Sequence, residues 1–268
     1  MKIVYKTRKS HSWNEDRYVI GDSFYMVIDG ATPLIKNEKM NLACWMVAYL
    51  KKHINRYNLP LKERLEKLAK DAYFDLGIDT DDVSYLPSAS ISYLEQDDEY
   101  FYASSLGDCE VTFRLKSGEI VRCHSDELTH LDNISIKELI DASVSNNIHV
   151  LEARPYITER LIKHRKLINQ PNGYSAYTIS PNLKLKPKTL KLKKSEVSEV
   201  YLYSDGFSQA FEYLHIYNSH VEMFNKSLDI DEEIKKIEKE SFSDPYCDKH
   251  PRFKKIDDIT VIKISLDE

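Results

Sequence analysis

Phe24-Tyr25-Met26-Val27-Ile28-Asp29-Gly30 is an apolar run that ends in an aspartate and a glycine, and Val200-Tyr201-Leu202-Tyr203-Ser204-Asp205-Gly206 repeats the arrangement late in the chain. Runs this apolar predict strands buried on both faces. Tyr102-Ala103-Ser104-Ser105-Leu106 leads in the same way into Gly107-Asp108, and Asp257-Asp258 precedes the strand-like Ile259–Ser265. Asn14-Glu15-Asp16 stands just before another short strand pattern. One Asp-Gly at a strand end is an ordinary turn. Several on core strands are harder to dismiss, because gathered carboxylates cost on the order of several kcal/mol each when uncompensated. Few basic residues lie within these segments to pair with them. Oxygen-only ligand sets favour Mg²⁺ or Mn²⁺ over zinc, so a bound metal pair is the compensation this pattern predicts.

Working outward, Lys2–Lys6, Arg17–Ile20 and Ser23–Ile28 read as strands rich in β-branched and aromatic residues. Asn41–Tyr57 places Leu42, Trp45, Met46, Tyr49, Leu50 and Ile54 at three- and four-residue spacing, an amphipathic helix. Trp45 and Tyr49 are expected to be core packing. Pro60 opens a second helix to about Leu76, with Gly77 as its stop. Strands are expected at Ser88–Leu94, Tyr100–Leu106, Val111–Leu115 and Glu119–Cys123. Helix returns from Ser135 to about Lys166, interrupted near Asn146-Asn147 and Pro155. Strands follow at Tyr174–Ile179, Thr189–Leu192 and Val200–Ser204, then helices over Phe207–Tyr213, Ser219–Leu228 and Asp231–Ser241, and a last strand at Ile259–Ser265. Grouped strands between helix pairs predict an α+β architecture of antiparallel sheets covered by helices. No repeat or linker divides the 268 residues, which are read as one domain, 1–268.

A hydrophobic content of 42 % with 30 % charged residues describes a water-soluble globular chain. No apolar run reaches membrane-spanning length. The basic start, Met1 to Lys9, is not followed by an export signal. Cys44, Cys109, Cys123 and Cys247 are widely spaced and predict reduced thiols in a cytoplasmic protein. A net charge of -5 argues against a nucleic-acid binder.

With these residues in hand, the chain resembles the protein phosphatase 2C family, the metal-dependent serine/threonine phosphatases, in its bacterial single-domain form. Asn14-Glu15-Asp16, Ile28-Asp29-Gly30, Ser88-Ala89-Ser90 with Ser105-Leu106-Gly107-Asp108, Tyr203-Ser204-Asp205-Gly206-Phe207 and Asp257-Asp258-Ile259-Thr260-Val261 match its motifs in order, from about Ser10 to Leu266. The resemblance implies a β-sandwich flanked by helical pairs, four layers α-β-β-α, with a variable flap-like segment at about 126–172. It implies two Mn²⁺ or Mg²⁺ per chain, with a weaker third. Asp29 would bridge both metals; Gly30 would offer its carbonyl to one, Glu15 would reach that same metal side partly through water, and Asp205 and Asp257 would hold the other. Asp108 and Asp205 would hold the third, and Asp16 would orient the attacking water. The implied activity is hydrolysis of phosphoserine or phosphothreonine in a protein substrate, by a monomer with neither nucleic acid nor membrane as partner.

The departures are specific. His11 stands where many members place a phosphate-gripping arginine, with Arg8 and Lys9 nearby. Ala31-Thr32-Pro33 replaces the usual glycines, no histidine acid is found there, and Asp258 replaces an asparagine. Two rival readings follow: a phosphoprotein-binding module without turnover, and a hydrolase of small phosphometabolites. Elsewhere, the lysines from Lys184 to Lys194 read as a protected edge strand. Arg154, Arg160, Lys163, His164, Arg165 and Lys166 read as a charged outer helix face, and Cys247 with His250 as loop chemistry.

Overall fold

The computed structural model describes residues 1–35 and 41–266. In chain order the elements are β1 (Lys2–Arg8), β2 (Asp16–Ile20), β3 (Phe24–Ala31), α1 (Leu42–His53), α2 (Leu61–Asp75), β4 (Ser88–Gln96), β5 (Tyr100–Leu106), β6 (Glu110–Leu115) and β7 (Ile120–Cys123). There follow α3 (Asp126–Asn146), a 3₁₀ segment (Val150–Ile157), α4 (Thr158–Arg165), β8 (Tyr177–Thr178), β9 (Lys188–Lys193), β10 (Val197–Tyr203), α5 (Asp205–Glu212), α6 (His220–Phe224), α7 (Ile230–Ser243) and β11 (Ile259–Ser265).

Two antiparallel sheets result, ordered β1-β11-β10-β6-β7 and β2-β3-β4-β5-β9, with β8 beside β4. Strand alternation sorts the apolar residues into layers. On β3, Phe24, Met26 and Ile28 pack under α1 and α2 with Met46, Leu50, Leu65 and Leu68. Tyr25 and Val27 face the other way, into an inter-sheet core with Phe101, Phe113, Val200, Leu202, Ile262 and Ile264. Tyr201, Tyr203 and Val261 face α5 to α7. The fold is therefore α+β, a sandwich with helices on both outer faces.

Asp29 continues the face of Tyr25 and Val27, so its carboxylate closes one end of the inter-sheet core. It lies directly opposite Asp16 on β2 and Ser90 on β4. Like charges facing each other across strands are destabilising, and this is where the sandwich departs from ordinary patterning.

Several boundaries differ from expectation. Helix α3 begins at Asp126, nine positions before the predicted Ser135. Its buried positions include Ser135 and Ser143, which blunt the apolar period. It stops at Asn147, whose left-handed φ of 53° makes the interruption read there a true cap. The six-residue strand predicted at Tyr174–Ile179 shrinks to Tyr177–Thr178, because only Ala89 and Ser88 offer ladder partners. The lysine-rich β9 is an edge strand, with Lys191 over the Tyr100 ring. Trp45 stacks on Tyr49 at 4.9 Å against the core, as expected.

Candidate metal centre

Four strand ends carry the acids to one place. Asp29 lies two residues before the end of β3, Asp108 follows β5, Asp205 opens α5 just after β10, and Asp257 precedes β11. All four line a cleft of about 570 Å³, together with Glu15, Gly30, His11 and Asp258. Asp16 lies buried beneath it.

The glycines explain how chain segments come this close. A Cβ on Gly30 would stand 2.7 Å from the Glu15 carbonyl, and one on Gly206 only 1.9 Å from the Asp258 carbonyl. Asp-Gly here is thus a close-packing device and not only a turn. Ser204 ties the two sheets: its hydroxyl donates to Asp16 Oδ2 at 2.8 Å and accepts from the Thr260 N–H at 2.9 Å.

The acids strain against one another. Burial pushes Asp16 well above the usual carboxylate range, opposed by the Ser204 hydroxyl and reinforced by Asp258 and Asp205. Burial does the same to Asp29, with Asp16, Asp108 and Asp257 adding, and to Asp205, with Asp257, Asp29 and Asp108 adding. Asp108 is raised chiefly by burial as well. Asp16 Oδ1 is buried with no hydrogen-bond partner. Oxygen ligands from Asp29 and Asp108 lie within 4.8 Å of each other and of Cys109 Sγ. The Cys109 thiol, which burial and these carboxylates push well above its ordinary value, stays protonated. Hard cations prefer oxygen in any case.

The substituted positions have definite tasks. Thr32 Oγ1 donates to Glu15 Oε1 at 2.6 Å, and Asn41 Nδ2 reaches the same oxygen at 2.8 Å. Asp258 accepts from the Ser10 N–H at 2.6 Å and hydroxyl at 2.8 Å through Oδ1, and from the Glu15 N–H at 2.7 Å through Oδ2. It anchors the acidic loop to the β11 end. Removing three charge-assisted bonds predicts that Asp258→Ala loses about 3 kcal/mol in urea denaturation, with Asp258→Asn intermediate because only one side remains an acceptor. A change below about 0.5 kcal/mol would refute this anchoring.

Some site groups had escaped sequence reasoning. Lys254 Nζ sits 2.7 Å from Asp257 Oδ1. Although burial opposes its charge, Asp257, Asp205 and Asp29 hold the ammonium above its ordinary value. The segments themselves hold few basic residues, as read from the sequence; this lysine lies three positions before Asp257, just outside the motif. Asp132 on α3 also lines the cleft, pushed well up by burial and by Asp108 and Glu212. Glu212 lies deeper, where burial and Glu110 raise it to about 8 against Ser208 and Arg122. His11 is exposed at the mouth. The expected outer helix face divides: Arg160 pairs outward with Glu138, while Arg154, His164 and Arg165 line the cleft. His250 bonds Glu240 and Cys247 donates to a backbone carbonyl, so both are loop chemistry.

No family model and no curated protein sequence matches the chain. Solved structures do match. Serine/threonine phosphatase Stp1 from Staphylococcus aureus superposes with a TM-score of 0.56 at 13 % identity, over 100 % of this chain and 95 % of that one. The Mycobacterium tuberculosis serine/threonine phosphatase PstP/Ppp gives 0.56 at 11 %, over 100 % and 99 %. The catalytic domain of PstP in complex with 2 manganese ions gives 0.56 at 11 %, over 99 % and 98 %. Over its whole length, then, the chain has the fold of the bacterial serine/threonine phosphatases of the protein phosphatase 2C type.

Proposed function

We propose that this chain is a metal-dependent phosphoester hydrolase acting on phosphoserine or phosphothreonine in proteins. The observation that carries the reading is the convergence of Asp29, Asp108, Asp205 and Asp257 on one cleft with Asp16 buried nearby; Asp16, Asp29, Asp108 and Asp205 are each raised chiefly by burial and further by neighbouring carboxylates. Such a cluster fits divalent cations: the donors are oxygens, and Asp16 Oδ1 is a buried acceptor without a donor. That PstP was crystallised with 2 manganese ions supports Mn²⁺ or Mg²⁺ as the partner, two per chain. Asp29, the Gly30 carbonyl, Glu15, Asp205 and Asp257 would hold the pair, and Asp108 with Asp205 a weaker third. When bound, the cations supply hydroxide near neutral pH and stabilise phosphoryl charge. The chain's own part is positional. Thr32 and Asn41 fix the Glu15 carboxylate, Ser204 fixes Asp16, and Asp16 orients the attacking water from beneath. The domain is single, with 126–172 as a flap over the cleft.

The test is hydrolysis of p-nitrophenyl phosphate with Mn²⁺. Activity abolished by chelator and reduced at least ~10²-fold by Asp205→Ala is the expected result, since even outer partners of metal ligands contribute 10–100-fold. Absence of turnover with every divalent cation would refute it. The Lys254 ammonium on Asp257 favours the alternative, a phosphoprotein-binding module whose acids carry their own counter-charge. A phosphopeptide panel set against small phosphoesters decides substrate class.

A further inference from the structure

Bound cations would offset the acids' repulsion of a phosphate dianion, and a basic side chain in the cleft wall would add a directional grip. His11 is the position that sequence alone offers, yet it is exposed on the rim. The cleft wall holds four other basic groups that are already engaged. Arg252 is 2 % exposed and bound to Asp244 at 2.7 Å. Lys254 is on Asp257. Arg154 donates to the Phe253 carbonyl at 3.4 Å. His164 shares a hydrogen bond with Ser135, and burial together with Arg160 lowers its proton affinity.

Arg165, like Arg154, bonds only neutral groups, but of the two it is Arg165 that is tethered beside the segments carrying the acids. It closes α4, yet its guanidinium turns into the cleft wall, where Nη1 donates to Ser88 Oγ at 2.6 Å and Nη2 to the Thr32 carbonyl at 3.4 Å. Both partners are neutral, and among the described residues Arg165 forms no ion pair. Burial works against its charge, and only Tyr174, Asp132 and Glu15 favour it from a distance. A recessed guanidinium without a carboxylate is costly unless an anion completes it. Its two tethers lie on the segments that position the acids: Thr32 is two residues past Gly30, and Ser88 is two residues before Ser90, the cross-strand partner of Asp29. The planar fork has five N–H donors and matches a phosphoryl group in two-pronged fashion.

We propose that Arg165 is the residue that grips the phosphoryl group in this cleft, in the role that sequence would give to His11. The proposal rests on the phosphoester reading above and deepens it. Inorganic phosphate titrated calorimetrically into the Mn²⁺-loaded protein tests it, beside KM and kcat for p-nitrophenyl phosphate. Arg165→Met is expected to weaken phosphate binding and raise KM by at least ~10-fold, as loss of a charge-assisted pair does. The melting temperature and the Mn²⁺ affinity should change little. Arg165→Lys should recover part of the loss, keeping charge without the fork, and His11→Ala should lose less than Arg165→Met. Unchanged phosphate affinity in Arg165→Met, or a larger loss in His11→Ala, would overturn the proposal. So would a parallel fall of melting temperature and Mn²⁺ affinity in both Arg165 variants, which would make the residue a brace between Ser88 and Thr32. Phosphate bound through Arg165 without turnover upholds this proposal and sinks the hydrolase reading. Turnover indifferent to Arg165 does the reverse.

Discussion

Asparagine in place of Asp29 is expected to weaken divalent-cation binding and turnover together, while the metal-free protein melts at a higher temperature than its parent. Asp29 faces Asp16 directly across the β2–β3 ladder and lies beside Asp205, from which it would accept when Asp205 is protonated. Its proton affinity in the fold is raised by burial first, then by Asp16, Asp108 and Asp257. The sign of the pH dependence follows. An unfolded aspartate ionises near ~3.9. A folded value above that means the carboxyl favours folding fully below ~3.9 and loses that advantage as pH rises through the folded value. The stability gap between Asp29→Asn and the parent should therefore be nil near pH ~3 and open progressively on the alkaline side. Melting curves in chelator across this range give the first half of the test. Mn²⁺ titration and p-nitrophenyl phosphate turnover, lowered at least ~10²-fold, give the second. A variant that is less stable than its parent at every pH would make Asp29 a simple turn residue.

The second large effect lies in the cleft wall. Arg252 sends Nη1 to Asp244 Oδ2 at 2.7 Å and to the His250 carbonyl at 2.7 Å, and Nη2 to the carbonyls of Lys255 at 2.8 Å and Asp244 at 3.1 Å. It thereby folds the segment 244–258, which has little regular structure, into the loop that delivers Lys254, Asp257 and Asp258. Both members of the ion pair are almost wholly buried. Removing one member of a buried pair leaves the other uncompensated, so Arg252→Ala should cost about 3–5 kcal/mol in urea denaturation. Arg252→Lys should rescue little of this, because an ammonium lacks the fork that reaches these carbonyl and carboxylate oxygens together. A loss under about 1 kcal/mol would show that the loop holds without it.

Strands β3, β10 and β11 were legible because burial on both faces leaves an unmistakable apolar run, and the acids announced themselves by ending those runs. Helix α3 was only half legible, since serines at positions 135 and 143 occupy buried sites where a periodic reading looks for leucine. What escaped entirely was pairing across long separations. Thr32 on Glu15, Asp258 on Ser10 and Arg165 on Ser88 join residues 17, 248 and 77 positions apart, and no local pattern marks them. Lys254 was hidden differently. It is near Asp257 in sequence, but only the fold turns its ammonium inward among the acids. Charge on an outer helix face and charge in a cleft wall are identical in one dimension, which is why Arg160 and Arg165 could not be told apart.

The acids come from opposite halves of the sandwich: Asp16 and Asp29 from one sheet, Asp205 and Asp257 from strand ends of the other, and Asp108 from the turn that links the two. They therefore sit on the seam where the two layers slide if the domain loosens. Left bare, that rim pushes the halves apart at one end while the apolar filling grips them at the other. Any ion shared between the two sets acts as a rivet through both plates, and loading would tighten the body as a whole as well as arm its chemistry.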